Sequence, residues 1–143
     1  MNDKPTILII DDDSIILKIL DHELGDIGRL ICVTSGNDAI KKAKEKKPDL
    51  IMTDLFMPDM SGYELITAIK KEDELKDVPY VIMTGNFDES FEIEGLRKGA
   101  VDFFKKPFNL TVVKQRISNI LHSSKERQML QTIANTDALT GAY

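Results

Sequence analysis

Apolar positions fall into two kinds of cluster that alternate along the chain. Five short runs, Thr6 to Ile10, Leu30 to Thr34, Leu50 to Thr53, Tyr80 to Met83 and Asp102 to Phe104, are bounded by turn residues and predict strands. Between them the spacing becomes helical. Ile15, Ile16, Ile19, Leu20 and Leu24 predict a first helix, capped by Asp13 or Ser14 and ended by Gly25. Asn37 to Lys46 predicts a second, with Ala39, Ile40 and Ala43 inward and Pro48 breaking its lysine-rich end. After the turn Pro58 to Gly62, Ser61 is placed to cap a third helix, Tyr63 to Lys71, with Leu65, Ile66 and Ile69 inward. The acidic stretch Glu72 to Asp77 reads as a solvated turn. A weakly patterned fourth helix spans about Glu89 to Lys98 and is stopped by Gly99. Asn109 caps a last helix whose stripe is Leu110, Val113, Ile117, Ile120 and Leu121. Strict alternation of strand and helix predicts an α/β domain, a parallel sheet with helices on both faces.

Right-handed crossovers in such a sheet bring the carboxyl ends of all strands to one edge. The residues just past the strands then become neighbours: Asp11, Asp12 and Asp13, Asp54, Thr84 and Lys106. Asp54 ends the central strand, so it is expected to be displayed in the crevice rather than buried. Crowded carboxylates repel one another, and a divalent cation relieves this; Mg2+ commonly sits on one or two carboxylates plus phosphate. With the Lys106 ammonium and the Thr84 hydroxyl facing the same pocket, the set suits phosphoryl transfer, which needs an acceptor oxygen, a metal and a further cation. Each piece also has a plainer role: the acids as helix caps, Thr84 as a strand-end residue, Lys106 as a solvated lysine. Their joint position favours the pocket.

The 143 residues suit one domain and an appendage. A net charge of −5 argues against gripping nucleic acid. No window approaches the roughly 18 apolar residues of a membrane span, and the polar start gives no signal peptide, so a cytoplasmic protein is expected. Cys32 is the only cysteine; its apolar surroundings predict a small buried hydrophobe. His22 and His122 stand alone on helices and read as surface residues, and the methionines as core filler.

The segments IIDDD, TDLFMPDMSG, MTGN and FFKKPFN, in this order and spacing, resemble the receiver domain of two-component response regulators over roughly Lys4 to Leu121. The resemblance implies a flavodoxin-like (βα)5 doubly wound sheet of strand order 2-1-3-4-5. It implies a signalling domain rather than an enzyme, with Asp54 accepting a phosphoryl group from a histidine kinase, a phosphotransfer protein or a small phosphodonor. Asp12 would bind Mg2+ directly, Asp11 through water, and Asp54 and the backbone carbonyl of Phe56 would complete the protein's share. Lys106 would contact the phosphoryl group. Thr84 would swing toward it, and Phe103 would be the aromatic whose rotamer changes with it. The family usually has a cis bond before the proline matched by Pro107. It commonly has Tyr or His where Phe103 stands, so a switch needing a phenolic hydroxyl is not expected at this position. Water attacking the aspartyl phosphate would pass between Phe56 and Asn86, two residues beyond Asp54 and Thr84. The face holding the fourth helix is the family's usual dimerisation surface, which implies a phosphorylation-favoured homodimer.

Beyond the receiver, placed at residues 4–122, the stretch 123–136 has neither Gly nor Pro and reads as a helical stalk with Met129, Leu130 and Ile133 as an apolar seam. Residues 137–143 resemble the start of a diguanylate cyclase domain, D-x-L-T-G, at Asp137, Leu139, Thr140 and Gly141. The glycine-rich catalytic motif of that family does not occur within these residues, so cyclic di-GMP synthesis is not expected of this polypeptide. Two other readings are open. A haloacid dehalogenase-type phosphatase would use Asp11 as nucleophile but needs an acidic pair near a late strand, where this chain has Asp102 alone. A receiver-like adaptor would bind a partner without phosphorylation.

Overall fold

The computed structural model describes residues 4–85 and 89–123. The proposed stalk from residue 124 on, the segment resembling a cyclase and Asn86 lie outside the described residues. Five strands, β1 (Thr6–Ile10), β2 (Arg29–Val33), β3 (Leu50–Asp54), β4 (Tyr80–Thr84) and β5 (Asp102–Lys105), form one sheet in the order β2-β1-β3-β4-β5. Every pairing is parallel. Helices α1 (Ser14–Leu24), α2 (Gly36–Lys46), α3 (Gly62–Ile69) and α4 (Glu89–Arg97) come after the first four strands, and α5, residues 110–123, comes after β5. The flavodoxin-like order implied by the motifs is the order observed.

Two apolar layers sandwich the sheet, because successive strand residues point to opposite faces. Leu8, Ile10, Ile51, Tyr80, Ile82 and Phe103 meet Ala39 and Ala43 of α2 and Leu65, Ile66 and Ile69 of α3. Ile7, Ile9, Leu50, Met52, Val81, Met83 and Phe104 meet Leu17, Leu20 and Leu24 of α1 and Val113 and Ile117 of α5. Each fully buried aliphatic side chain contributes about 1.5–3 kcal/mol. The central strands β3 and β4 are buried along their whole length, so their carboxyl ends are rigidly held.

One expectation is corrected, and the inner face of one helix is defined. In α1 apolar residues cover more than half the circumference, and the buried stripe is Leu17, Leu20 and Leu24, while Ile15 and Ile19 are 67% and 41% exposed. The helix is capped at its start, where the Asp13 carboxylate accepts the Ile15 N–H at 2.9 Å. Cys32 is exposed, not a core hydrophobe, because β2 is an edge strand with a neighbour on one side only. Partial desolvation still pushes its thiol up to about 11, with Asp21 adding to the rise, so the thiolate needed for reactivity is scarce at neutral pH.

The loop from β3 to α3 is fixed at three points. Ser61 and Glu64 form a reciprocal capping box, at 3.1 and 2.8 Å. The Asp59 carboxylate accepts the Gly36 and Asn37 N–H groups at the start of α2, both at 3.0 Å, and these bonds hold its carboxyl below the usual range. Gly62 is required sterically: a Cβ there would stand 2.5 Å from the Asp54 carbonyl oxygen. The chain therefore turns tightly against the end of β3.

Candidate functional site: an acid cluster bridged by a lysine

The carboxyl edge of the sheet gathers the charged residues that the motifs single out. Asp11 comes directly after β1, its N–H bonded to the Val33 carbonyl of β2 at 3.2 Å, and its Oδ1 accepts the Asp13 N–H at 2.9 Å. Asp54 is the last residue of β3. One carboxylate oxygen each from Asp11, Asp12 and Asp54 lies within 4.8 Å of the others. Asp11 is fully buried and Asp12 exposed.

Lys106 enters from the end of β5. Its backbone N–H donates to the Thr84 carbonyl at 2.9 Å, and the Lys106–Pro107 peptide is cis, as the resemblance implies. Its ammonium bridges two acids, with Nζ 3.0 Å from Asp54 Oδ2 and in ionic contact with Asp11 Oδ2. Thr84, buried at 1% exposure, ends β4 beside Asp54, since Asp54 pairs with Met83 in the register.

Asp54 is 7% exposed, so the expectation of a displayed carboxylate is corrected. Lys106 closes one side, and the Phe56 N–H approaches Asp54 Oδ1 at 3.4 Å as the next residues fold back. The carboxylate is thus shielded from solvent on two sides.

Burial and pairing oppose each other in these groups. For Lys106, desolvation pulls the pKa down, and the bonds to Asp11 and Asp54 more than offset it, so it ends raised. For Asp11, desolvation raises the pKa; contact with Lys106 and the Asp13 N–H lowers it only in part, while Asp54 adds to the rise. Asp11 Oδ2 is buried, and its one close partner is the Lys106 ammonium, so a carboxylate oxygen keeps spare lone pairs. A pocket that gathers three carboxylates in this way fits a hard divalent cation. Receiver domains generally bind Mg2+ at an acidic pocket of this kind.

Phe103 is not at the pocket. It is 6% exposed, in the layer beneath α3 and α4. Phe56 is 48% exposed, with its N–H beside the Asp54 carboxylate. Sequence reasoning missed Phe91, which meets Phe56 edge-on, and Tyr63, whose hydroxyl donates to the Phe91 carbonyl at 3.3 Å. The available signal was an aromatic residue in the first turn of a weakly patterned helix.

A doubly wound parallel sheet with an acid cluster and a bridging lysine at its carboxyl edge defines a flavodoxin-like signalling domain. The model of the response regulator receiver domain matches residues 7–118, and the chain belongs to that family. Histidine kinase P4 of Formosa agariphila is 33% identical over 121 residues, 85% of this chain and 9% of that protein. The alkaline phosphatase synthesis transcriptional regulatory protein PhoP of Bacillus subtilis is 33% identical over 126 residues, 87% of this chain and 51% of its own length. The chemotaxis response regulator CheY4 of Vibrio cholerae superposes with a TM-score of 0.76 at 26% identity, covering 82% of this chain and 99% of that one. Receiver domains are generally non-enzymatic modules that interact with histidine kinases or phosphotransfer proteins.

Proposed function

We propose that this receiver is a phosphorylation switch in which Asp54 accepts a phosphoryl group from a histidine kinase, a phosphotransfer protein or a small phosphodonor. The observation that carries the reading is the Lys106 ammonium bridging buried Asp11 and Asp54 inside a three-carboxylate cluster. Asp12 directly, Asp11 through water, Asp54 and the Phe56 carbonyl would hold Mg2+, which supplies charge neutralisation for the phosphoryl oxygens. Asp54 Oδ attacks phosphorus, the bond to the donor breaks, and Lys106 shifts from Asp54 to the new phosphoryl oxygens. Thr84 donates its hydroxyl to one of them. Phe103 then repacks between β5 and α4. The phosphatase reading is disfavoured because Asp102 starts β5, at the strand end away from the cluster, and is paired with Arg116 at 3.2 Å.

The test is mass spectrometry after incubation with acetyl phosphate and magnesium. A single phosphoryl group on Asp54, absent in Asp54→Asn, is the expected result; an adduct on Asp11 instead favours the phosphatase, and none favours the adaptor.

The receiver, residues 4–122, would relay this state through α4, β5 and α5 to the stalk, 123–136, and to a diguanylate cyclase output beginning at 137–143. No helix among the described residues is long and apolar enough to cross a membrane, and the cytoplasm is the compartment that suits such a relay. Ile93 and Leu96 on α4, Val101 before β5 and Val112 on α5 are 42–48% exposed, which favours this face for a phosphorylation-dependent homodimer. Sedimentation with beryllium fluoride as phosphoryl mimic is expected to show a doubled mass that Val112→Glu suppresses. A mass indifferent to the mimic counts against dimerisation.

A further inference from the structure

Phe56, two residues beyond Asp54, carries an exposed apolar ring with a ring partner on α4. Its ring centroid is 5.5 Å from that of Phe91, with the planes inclined at 71°, an edge-to-face pair. Phe91 is itself half-buried, packed against the core layer that contains Leu65, Ile82 and Phe103. Its backbone is held as well, since the Phe91 carbonyl accepts the Tyr63 hydroxyl from α3 at 3.3 Å. Phe91 is thus a fixed point, and the exposed Phe56 ring is the movable partner. The Phe56 backbone reaches the reacting centre, its N–H lying 3.4 Å from Asp54 Oδ1.

We propose that Phe91 is a positioning residue for the phosphoacceptor loop: it seats the Phe56 ring beside the crevice and thereby sets the lifetime of the phosphoryl group on Asp54. The inference rests on Asp54 being the phosphoacceptor. Loss of the phosphoryl group requires a water oxygen to attack phosphorus in line. The bond from phosphorus to the Asp54 oxygen breaks with its electron pair returning to the carboxylate, and inorganic phosphate leaves while the water's proton passes to the phosphate or to solvent. An apolar ring held at the entrance offers that water no hydrogen bond and narrows its approach. A ring released from its partner samples other rotamers and leaves the entrance open for part of the time.

The experiment measures decay of the aspartyl phosphate after removal of the phosphodonor, alongside thermal melting, in a double-mutant cycle of Phe91→Ala and Phe56→Ala. Phe91→Ala is expected to speed decay about three- to tenfold, the change that an ordinary edge-to-face pair implies. In the Phe56→Ala background the same substitution is expected to leave decay unchanged, because the ring it positions is gone. Phe91→Tyr, which keeps the ring, is expected to retain the slow decay. A lower melting temperature from lost packing appears in both backgrounds, so stability alone does not mimic the result. Should the alanine variant fail to fold, Phe91→Leu keeps apolar volume without an aromatic edge and carries the same comparison. Decay equal to the parent protein, or an acceleration that is the same with and without Phe56, overturns the proposal. A parent protein that takes no phosphoryl group on Asp54 overturns the functional reading, and this inference with it.

Discussion

Asp12→Ala is expected to abolish magnesium-dependent phosphorylation of Asp54 while leaving the metal-free fold at least as stable as before. Asp12 is the exposed member of the acid cluster, so it contributes charge and not packing. Three carboxylates face one ammonium, and the substitution removes one of the acids in excess. Less repulsion means that the apo protein gains between zero and about 1 kcal/mol, a small figure because water screens an exposed charge. The loss in function is much larger. Asp12 is the proposed direct metal donor, and without the cation the charge building on the phosphoryl oxygens is left to Lys106 and the Thr84 hydroxyl; removing one such stabilising contact typically costs about 100- to 1,000-fold. Thermal melts with and without magnesium, and phosphorylation by acetyl phosphate on the same sample, check both halves. A magnesium-induced rise in melting temperature that survives in the variant, or undiminished phosphorylation, removes Asp12 from the metal site.

The parts of this molecule that could be read from the chain are those decided locally. Strands β1, β3 and β4 are continuous apolar runs, and their limits agree with expectation to within a residue. Ser61 as a helix cap and Asn109 as another are likewise short-range chemistry, each accepting a backbone N–H three residues on. That Asp11, Asp54, Thr84 and Lys106 gather at one edge was also readable, because strands that run parallel all end there. Periodicity did not decide anything that depends on a distant partner. Leu17, Leu20 and Leu24 face inward because of what β1 and α5 offer, and a helix apolar on more than one side does not carry that choice itself. Asp54 is buried because Lys106 reaches across from the end of another strand. Phe56 meets Phe91 only because β3 and β4 are neighbours, so the helix after β4 stands beside the loop leaving β3.

Lys106→Met is expected to separate the structural role of this lysine from its chemical one. Methionine keeps an unbranched apolar stem and removes the ammonium. Asp11, fully buried, then loses its ion partner, and Asp54 loses the 3.0 Å contact that offsets the repulsion between the two acids. Breaking a buried ion pair from one side commonly costs about 3–5 kcal/mol, since an uncompensated charge remains. The lysine side chain is 17% exposed against 0% and 10% for its partners, so solvent screening reduces that figure only modestly. Added magnesium is expected to recover much of the stability, because a divalent cation replaces the missing charge and no longer competes with an ammonium for the same oxygens. Its stabilising effect should therefore be larger in the variant than in the parent protein. The rate should not recover. Lys106 is proposed to move from Asp54 onto a phosphoryl oxygen, and a cation held by the carboxylates does not reproduce that contact. Phosphorylation is thus expected to remain slower by about 100-fold or more at magnesium concentrations where the melting temperatures have converged. Calorimetry over a magnesium titration, paired with initial phosphorylation rates, gives both readings; equal magnesium shifts in the two proteins, or a rate restored together with stability, would remove Lys106 from one role or the other.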